Sequence, residues 1–204
     1  MLRVIRAAEC RAMPWKNGGG ETTELAVFPP GASLDDFGWR VSRARVASDG
    51  AFSRFDGVDR SLAVLDGAGL VLSIGQAPAV TLAPGSPPLR FAADVATFAR
   101  LVRDKEAVHD LNVMTRRDRF EHSVAPLQLH GKTTLSGYAS SALLVCHRGS
   151  VQVQTPQGSA QLGPGDALWV EQPGAVSWDL QAVASHAADD AQGCSLFWVQ
   201  IRDL

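Results

Sequence analysis

The residues of this chain best placed to do chemistry begin with Met13-Pro14-Trp15-Lys16-Asn17-Gly18-Gly19-Gly20. Three successive glycines permit positive φ and close approach of another group to the backbone. Lys16 can meet an anion, Asn17 can donate and accept hydrogen bonds, and Trp15 can form an apolar wall. The segment is not a phosphate loop. Lys16 precedes the glycines, and Gly-x-x-x-x-Gly-Lys-Ser/Thr is absent. Residue chemistry alone supports two readings equally: a tight turn into a strand over Thr22 to Val27, or a loop whose N–H groups face a small ligand.

Other candidates follow by alternation. In Trp39-Arg40-Val41-Ser42, Arg40 and Ser42 share one strand face. Arg offers a planar fork for a carboxylate, and Ser adds an adaptable hydrogen bond. The plain alternative is a solvated face, shared with Arg43 and Arg45. Arg60 opens an apolar strand and has Asp56 and Asp59 nearby for a rim ion pair. Asp110, Asn112 and Met114 alternate onto one face, which makes Asn112 with Met114 a polar and apolar contact pair. Asn112 could equally satisfy a neighbouring backbone. Arg116, Arg117 and Arg119 are interrupted by Asp118 and Glu121, which describes a solvated turn better than a nucleic-acid patch. None of the five histidines has ligand spacing to another or to a carboxylate, so no metal is expected. No Gly-x-Ser-x-Gly elbow occurs, and no helix-turn-helix signal for DNA.

The elements that must position these residues read as strands. Trp39 to Val46 alternates. Ser61 to Leu65, Leu70 to Ile74, Ala79 to Leu82, Ala142 to Cys146, Val151 to Gln154, Ala167 to Val170 and Ser195 to Ile201 are short apolar runs bounded by Gly and Pro. Ser33 to Phe37 is a short helix candidate, and Val95 to Val102 reads as helix or strand. Shifting the chain by 80 residues aligns Ser61 with Ser141, Gly69 with Gly149 and Val71 with Val151. It also aligns Leu82-Ala83-Pro84-Gly85 with Leu162-Gly163-Pro164-Gly165. This predicts an all-β chain of two similar units, near residues 15–100 and 125–204, joined by a section around Ala107 to Phe120. The units divide as 1–120 and 121–204. Ala182 to Gly193 reads as a mobile loop between two strands.

Composition bounds the rest. The 204 residues are 46% hydrophobic, enough for a substantial core, and the net charge of −2 gives no basic field for nucleic acid or anionic membrane. Arg supplies nearly all the positive charge, since Lys16, Lys105 and Lys132 are the only lysines. Cys10, Cys146 and Cys194 form no CxxC and leave an odd thiol, which fits a reducing compartment. The N-terminus is too short and charged for a secretion signal, and no apolar stretch approaches the ~20 residues that span a bilayer. A cytoplasmic protein is expected, with no membrane or nucleic-acid partner. Exposed strand edges leave room for a homodimer.

A longer signature runs through these residues. Met13 to Thr22, Phe37-Gly38-Trp39-Arg40-Val41-Ser42, Asp49 to Phe55, Val58-Asp59-Arg60 and Asp110-Leu111-Asn112-Val113-Met114 together resemble the HutD/Ves family. The resemblance covers nearly the whole chain, with less diagnostic sequence beyond about Pro126. It implies a bicupin: two β-barrel or jelly-roll-like units in one chain. It also implies association with bacterial histidine utilisation, as a regulator or governor, with formylglutamate or urocanate as candidate ligands. At the positions where cupins carry metal ligands, this chain has Arg54 to Asp56 and Arg60 in the first half. In the second half it has Ser136 to Tyr138, Ala142 and Ala175 to Ser177. Histidine is missing throughout, so no cofactor is expected.

The favoured expectation is a metal-free binding protein for a small anionic metabolite. Its ligand-binding set is Trp15, Lys16, Asn17, Gly18, Thr22, Arg40, Ser42, Arg60, Asn112 and Met114. The alternative is a metal-independent enzyme acting on a small carboxylic acid of histidine catabolism, with Lys16 as acid or base. No paired base or nucleophile accompanies Lys16, which places the enzyme reading second.

Overall fold

Short runs of β-branched and aromatic residues, cut by Gly and Pro, favour extended chain over helix. The computed structural model describes residues 1–15, 18–183 and 193–204. In chain order its strands are β1 (Leu2–Ile5), β2 (Ala12–Pro14), β3 (Gly20–Phe28), β4 (Trp39–Val46), β5 (Gly50–Ala51) and β6 (Val58–Asp66). Then come β7 (Leu70–Ile74), β8 (Val80–Leu82), β9 (Leu89–Ala92), β10 (Thr97–Leu101), β11 (Val108–Arg116) and β12 (Phe120–Leu129). The last are β13 (Lys132–Arg148), β14 (Val151–Thr155), β15 (Gly158–Leu162), β16 (Ala167–Ala182) and β17 (Cys194–Asp203). Among the described residues one 3-10 turn, Ala7–Glu9, is the sole helical element.

Two compact units result, Arg11–Phe120 and Glu121–Leu204 with Met1–Cys10. The first ten residues join the latter because β1 lies antiparallel on β16, Leu2 opposite Val170 and Ile5 opposite Ala167. Asp166 fixes the exit from that strand: its carboxylate accepts from Ala7 N–H at 2.9 Å and from Arg6 at 2.7 Å.

The Arg11–Phe120 unit has a six-stranded sheet ordered β2-β3-β4-β11-β6-β9 and a four-stranded sheet ordered β5-β10-β7-β8. Leu70, Leu72 and Ala99 of the smaller sheet meet Val46, Leu62, Val64, Phe91 and Val108 of the larger in one apolar cluster. This packing is that of a jelly-roll-like sandwich. Val95 to Val102 resolves as strand, since Thr97 to Leu101 pair with Ile74 to Leu70. Ser33 to Phe37 is a turn and not the expected helix. Ser33 N–H and Oγ both donate to Asp36 Oδ1, at 2.5 and 2.8 Å, and Asp35 N–H donates to Ser33 Oγ. These local bonds compete with helical ones, and five residues are too few to nucleate a helix alone.

In the other unit a seven-stranded sheet runs β12-β17-β13-β16-β14-β15, with β1 also on β16. The long strands β13 and β16 slip register by one residue between Ala139 and Ser141, where Gln172 takes φ 49. That bulge switches the buried set of β13 from Ala139 to Ala142, Leu144 and Cys146. The strand thereby keeps feeding one core with Val170, Trp178, Leu196 and Trp198. The 80-residue repeat is visible as β6-β7-β8 against β13-β14-β15. Gly85 and Gly165 occupy matching turns at φ 87 and 84, a conformation that costs glycine nothing.

Candidate functional site

The site grows out of strand register. In an antiparallel sheet, directly opposed residues point to the same face. Met114 of β11 lies opposite both Arg40 of β4 and Arg60 of β6. Arg60 in turn faces Phe91 of β9, and Arg40 faces Val27 of β3. One step along, Asn112 lies opposite Ser42 and Leu62, and Ser42 opposite Glu24. A further step puts Asp110 opposite Ala44 and Val64, with Thr22 beyond Ala44. Strand spacing sets Arg40 and Arg60 about 10 Å apart at their backbones, within reach of one small ligand. Leu62, Val64 and Phe91 of this same face belong to the apolar cluster shared with the four-stranded sheet. The polar residues therefore face the interior.

Their burial is unusual for such groups. Arg40 is 7% exposed, Arg60 6%, Asp110 1% and Asn112 9%, where charged side chains are rarely buried unless paired. Arg40 Nε donates to Glu24 Oε2 at 2.8 Å, leaving its two terminal nitrogens outside that pair. A β-bulge between Glu24 and Ala26 makes both neighbours available to Arg40: Glu24 before the shift and Val27 after it.

Arg60 does not form the rim ion pair its sequence neighbours suggested. Asp59 instead binds Arg90 and Arg117, each at 2.7 Å. The Arg60 guanidinium sits among Phe52, Phe55 and Phe91, 5.3 to 5.9 Å from the ring centres. Its Nη2 donates to Ser53 O at 3.2 Å, and its buried Nε has no partner among the described residues. Burial lowers its pKa to about 10, helped by Arg40, while Asp110 opposes the shift.

Asp110 is the member that sequence reasoning left out. Its Oδ1 accepts from Asn112 Nδ2 at 2.5 Å, so Asn112 serves a buried carboxyl. Its Oδ2 is buried without a partner among the described residues. Burial pushes its pKa up to about 7, against the pull of Arg60 and the Asn112 hydrogen bond. The alternation of Asp110 with Asn112 and Met114 was the signal that could have included it.

The glycine-rich segment is a turn between β2 and β3. Trp15 N–H donates to Gly20 O at 2.9 Å, and Gly18 N–H to Trp15 O at 3.0 Å. Gly18 is exposed, and its N–H is used inside the turn. A side chain at Gly20 would meet the Arg45 carbonyl and the Trp15 ring. Trp15 Nε1 donates to Thr22 Oγ1 at 2.7 Å, and the Trp15 ring packs on the apolar cluster under the site. Trp15 and Thr22 thus extend the same interior face. Lys16 and Asn17 lie outside the described residues, as does most of Ala182 to Gly193.

Two of the three arginines after Met114 hold the fold together, and Arg119 lies over the Phe120 ring, 5.3 Å from its centre. Arg116 donates to the carbonyls of Phe37, Asp56 and Asp35, and Arg117 bridges Asp59 and Asp94. The residues at the cupin metal positions do not fit a metal: Arg60 brings a cation where a carboxylate ligand would stand. Among the described residues no three His, Cys, Asp or Glu side chains gather as metal ligands. The other unit has a large apolar cluster that includes Leu144, Leu168, Trp178 and Trp198, and no Asp, Glu, Lys or Arg side chain among its described residues is buried. A groove of about 530 Å³ in that unit is lined by Lys132, Thr134, Gln152, Gln154, Asp179 and Gln181, and no arginine lines it. No helix among the described residues is long and apolar enough to cross a membrane.

Comparison with known proteins gives the same picture of fold. Protein Ves of Citrobacter koseri is 41% identical over 119 residues, 57% of this chain and 60% of that protein. An uncharacterised 21.2 kDa protein from the hutC 3′ region of Pseudomonas putida is 34% identical over 172 residues, 83% of this chain and 87% of its own length. A conserved protein of unknown function from Pseudomonas aeruginosa PAO1 superposes with a TM-score of 0.88 at 30% identity, covering 99% of both chains. HutD from Pseudomonas fluorescens SBW25 does so at 0.82 and 26%, covering 100% of both. Oxalate decarboxylase of Bacillus subtilis shares the fold alone, at 0.66 and 7%, over 98% of this chain and 77% of that one. The family model HutD matches residues 7–188, and the chain belongs to the HutD family.

Proposed function

We propose that this chain is a metal-free binding protein for a small carboxylate of histidine utilisation, acting as a cytoplasmic regulator of that pathway. The observation that carries this reading is the excess of buried positive charge on one interior face. Arg40 and Arg60 are both buried there. Among the described residues Glu24 pairs with Arg40, and burial opposes ionisation of Asp110. Buried charge is costly unless paired and hydrogen-bonded, and an anionic ligand supplies both. Ser42 and Asn112 add polar contacts, and Met114, Phe91 and Trp15 give the apolar walls a small-molecule site needs. The Glu24 side chain is 34% exposed, which gives a way in from solvent. Two relatives support the pathway: the Pseudomonas putida protein from the hutC 3′ region, and HutD from Pseudomonas fluorescens SBW25.

Calorimetry with formylglutamate, urocanate, glutamate and histidine tests the proposal. Saturable heat is expected with at least one acid, weakened in Arg60→Met. Absence of heat or thermal shift with every acid, in a folded sample, overturns it.

A further inference from the structure

Asp110 is hard to explain as a structural residue. It is 1% exposed, it holds Asn112 through one oxygen, and its other oxygen is buried with no donor among the described residues. A structural carboxylate at such depth is normally paired or fully hydrogen-bonded. No salt bridge reaches it among the described residues: Arg40 Nε pairs with Glu24, and Arg60 Nη2 donates to Ser53 O. Asp110 nevertheless shares its face with both arginines and lies one step from Asn112 and Ser42.

We propose that Asp110 is the proton-carrying member of the anion site: when a carboxylate docks against Arg40 and Arg60, Asp110 takes a proton from solvent and donates it from Oδ2 in a hydrogen bond to the ligand. This rests on the carboxylate-binding reading above. The physics follows from the neighbours. The charged groups that share the face of Asp110 are Arg60 on β6 and Arg40 on β4, both opposite Met114 and two steps along, and Glu24 on β3, one step along beyond Ser42. On its own strand Asn112 donates to Oδ1, and that bond survives protonation of Oδ2. The opposing four-stranded sheet presents Leu70, Leu72 and Ala99 to this core, none charged. Arg60 is therefore the main charge favouring ionised Asp110. A bound anion neutralises that influence and adds a negative charge of its own, and both changes favour the protonated form. The empty site already holds this carboxyl near neutrality, so a small change suffices. No covalent step is involved, and one proton moves from buffer to Asp110.

The test is titration of the intact protein with formylglutamate in HEPES and in Tris, which differ in ionisation enthalpy, at pH 7.5. Wild type is expected to take up a substantial fraction of a proton per ligand. Its Kd is expected to weaken by about tenfold per pH unit above the carboxyl's pKa in the free protein. Asp110→Asn, which carries a permanent donor, is expected to bind with no proton uptake and a flat pH profile. Wild-type binding without proton uptake overturns this inference and leaves the carboxylate reading standing. So does a Kd that tightens as pH rises, the signature of an ionised Asp110 accepting a ligand N–H. Proton uptake persisting in Asp110→Asn assigns it elsewhere and overturns the inference. Failure of wild type to bind any of the four acids overturns both.

Discussion

Asp110→Asn in the empty protein is expected to change stability with a particular dependence on pH. The carboxyl has an ordinary pKa of 3.8 and is pushed up to about 7 in the fold. Below pH 4 it is protonated in both states and carries no penalty. As pH rises from about 4 to 7 the unfolded chain releases the proton first, so unfolding gains. Above about 7 the penalty is complete, and a shift of about 3 units corresponds to about 4 kcal/mol. The stability that protonated Asp110 preserves is thus lost as pH rises through this window. Asn removes the titration and keeps an acceptor for Asn112 Nδ2. It leaves an amide N–H2 without a partner, which costs about 1–3 kcal/mol. That cost is independent of pH. The difference in unfolding free energy, variant minus wild type, should therefore grow by about 3 kcal/mol between pH 5 and pH 8. Urea denaturation at four pH values, followed by tryptophan fluorescence, measures it, and every other titrating group cancels in the difference. A difference that stays constant from pH 5 to pH 8 refutes the claim that Asp110 is buried near neutrality.

Arg60→Met should weaken carboxylate binding by about 10- to 100-fold, the worth of a charge-assisted hydrogen bond. It should leave thermal stability equal or higher, since a buried ion without a salt bridge becomes apolar. A large fall in Tm would mean that Arg60 is structural. Leu144→Ala, at a fully buried position in the core of the other unit, should cost about 2–5 kcal/mol in urea denaturation. Asp166→Ala should cost about 1–3 kcal/mol, because the carboxylate holds Ala7, Gly163 and Arg6. Burial raises the Asp166 pKa, but those donors outweigh it and leave it below 3.8. Its stabilisation is present above pH 4 and fades in stronger acid, which acid titration of wild type against the variant will read. Gly20→Ala should lower Tm by displacing the Trp15 ring or the Arg45 carbonyl that a Cβ would meet.

Much of the fold could be read from local pattern. Period-two alternation follows from strand geometry itself, so Trp39 to Val46 shows that Arg40 and Ser42 share a face before any partner strand is known. The same holds for Asn112 and Met114 on β11. The repeat of Gly and Pro landmarks comes from turn chemistry, which is also local, and it pointed to two β units. Where local chemistry was ambiguous, long-range pairing decided. Thr97 to Leu101 became strand because β7 and β5 offer it ladders on either side. Ser33 to Phe37 went the other way, as a Ser and Asp side-chain turn.

The opening segment, Met13 to Gly20, shows the division most clearly. Its sequence established glycine freedom and excluded a phosphate loop. Tertiary structure decided that Gly18 spends its N–H within the turn, while Trp15 reaches Thr22 and the core beneath the arginines. The site itself was legible only in parts. Residue types supplied Arg40, Ser42, Arg60, Asn112 and Met114, but no local rule says that β4, β11 and β6 are neighbours in a register that lines up Arg40, Met114 and Arg60. Nor does any rule say that Arg60 enters a cage of Phe52, Phe55 and Phe91 instead of pairing with Asp59. Asp110 was passed over for the same reason. Its type is ordinary, and only burial with one oxygen unpartnered, a property of the packed sheets, sets it apart.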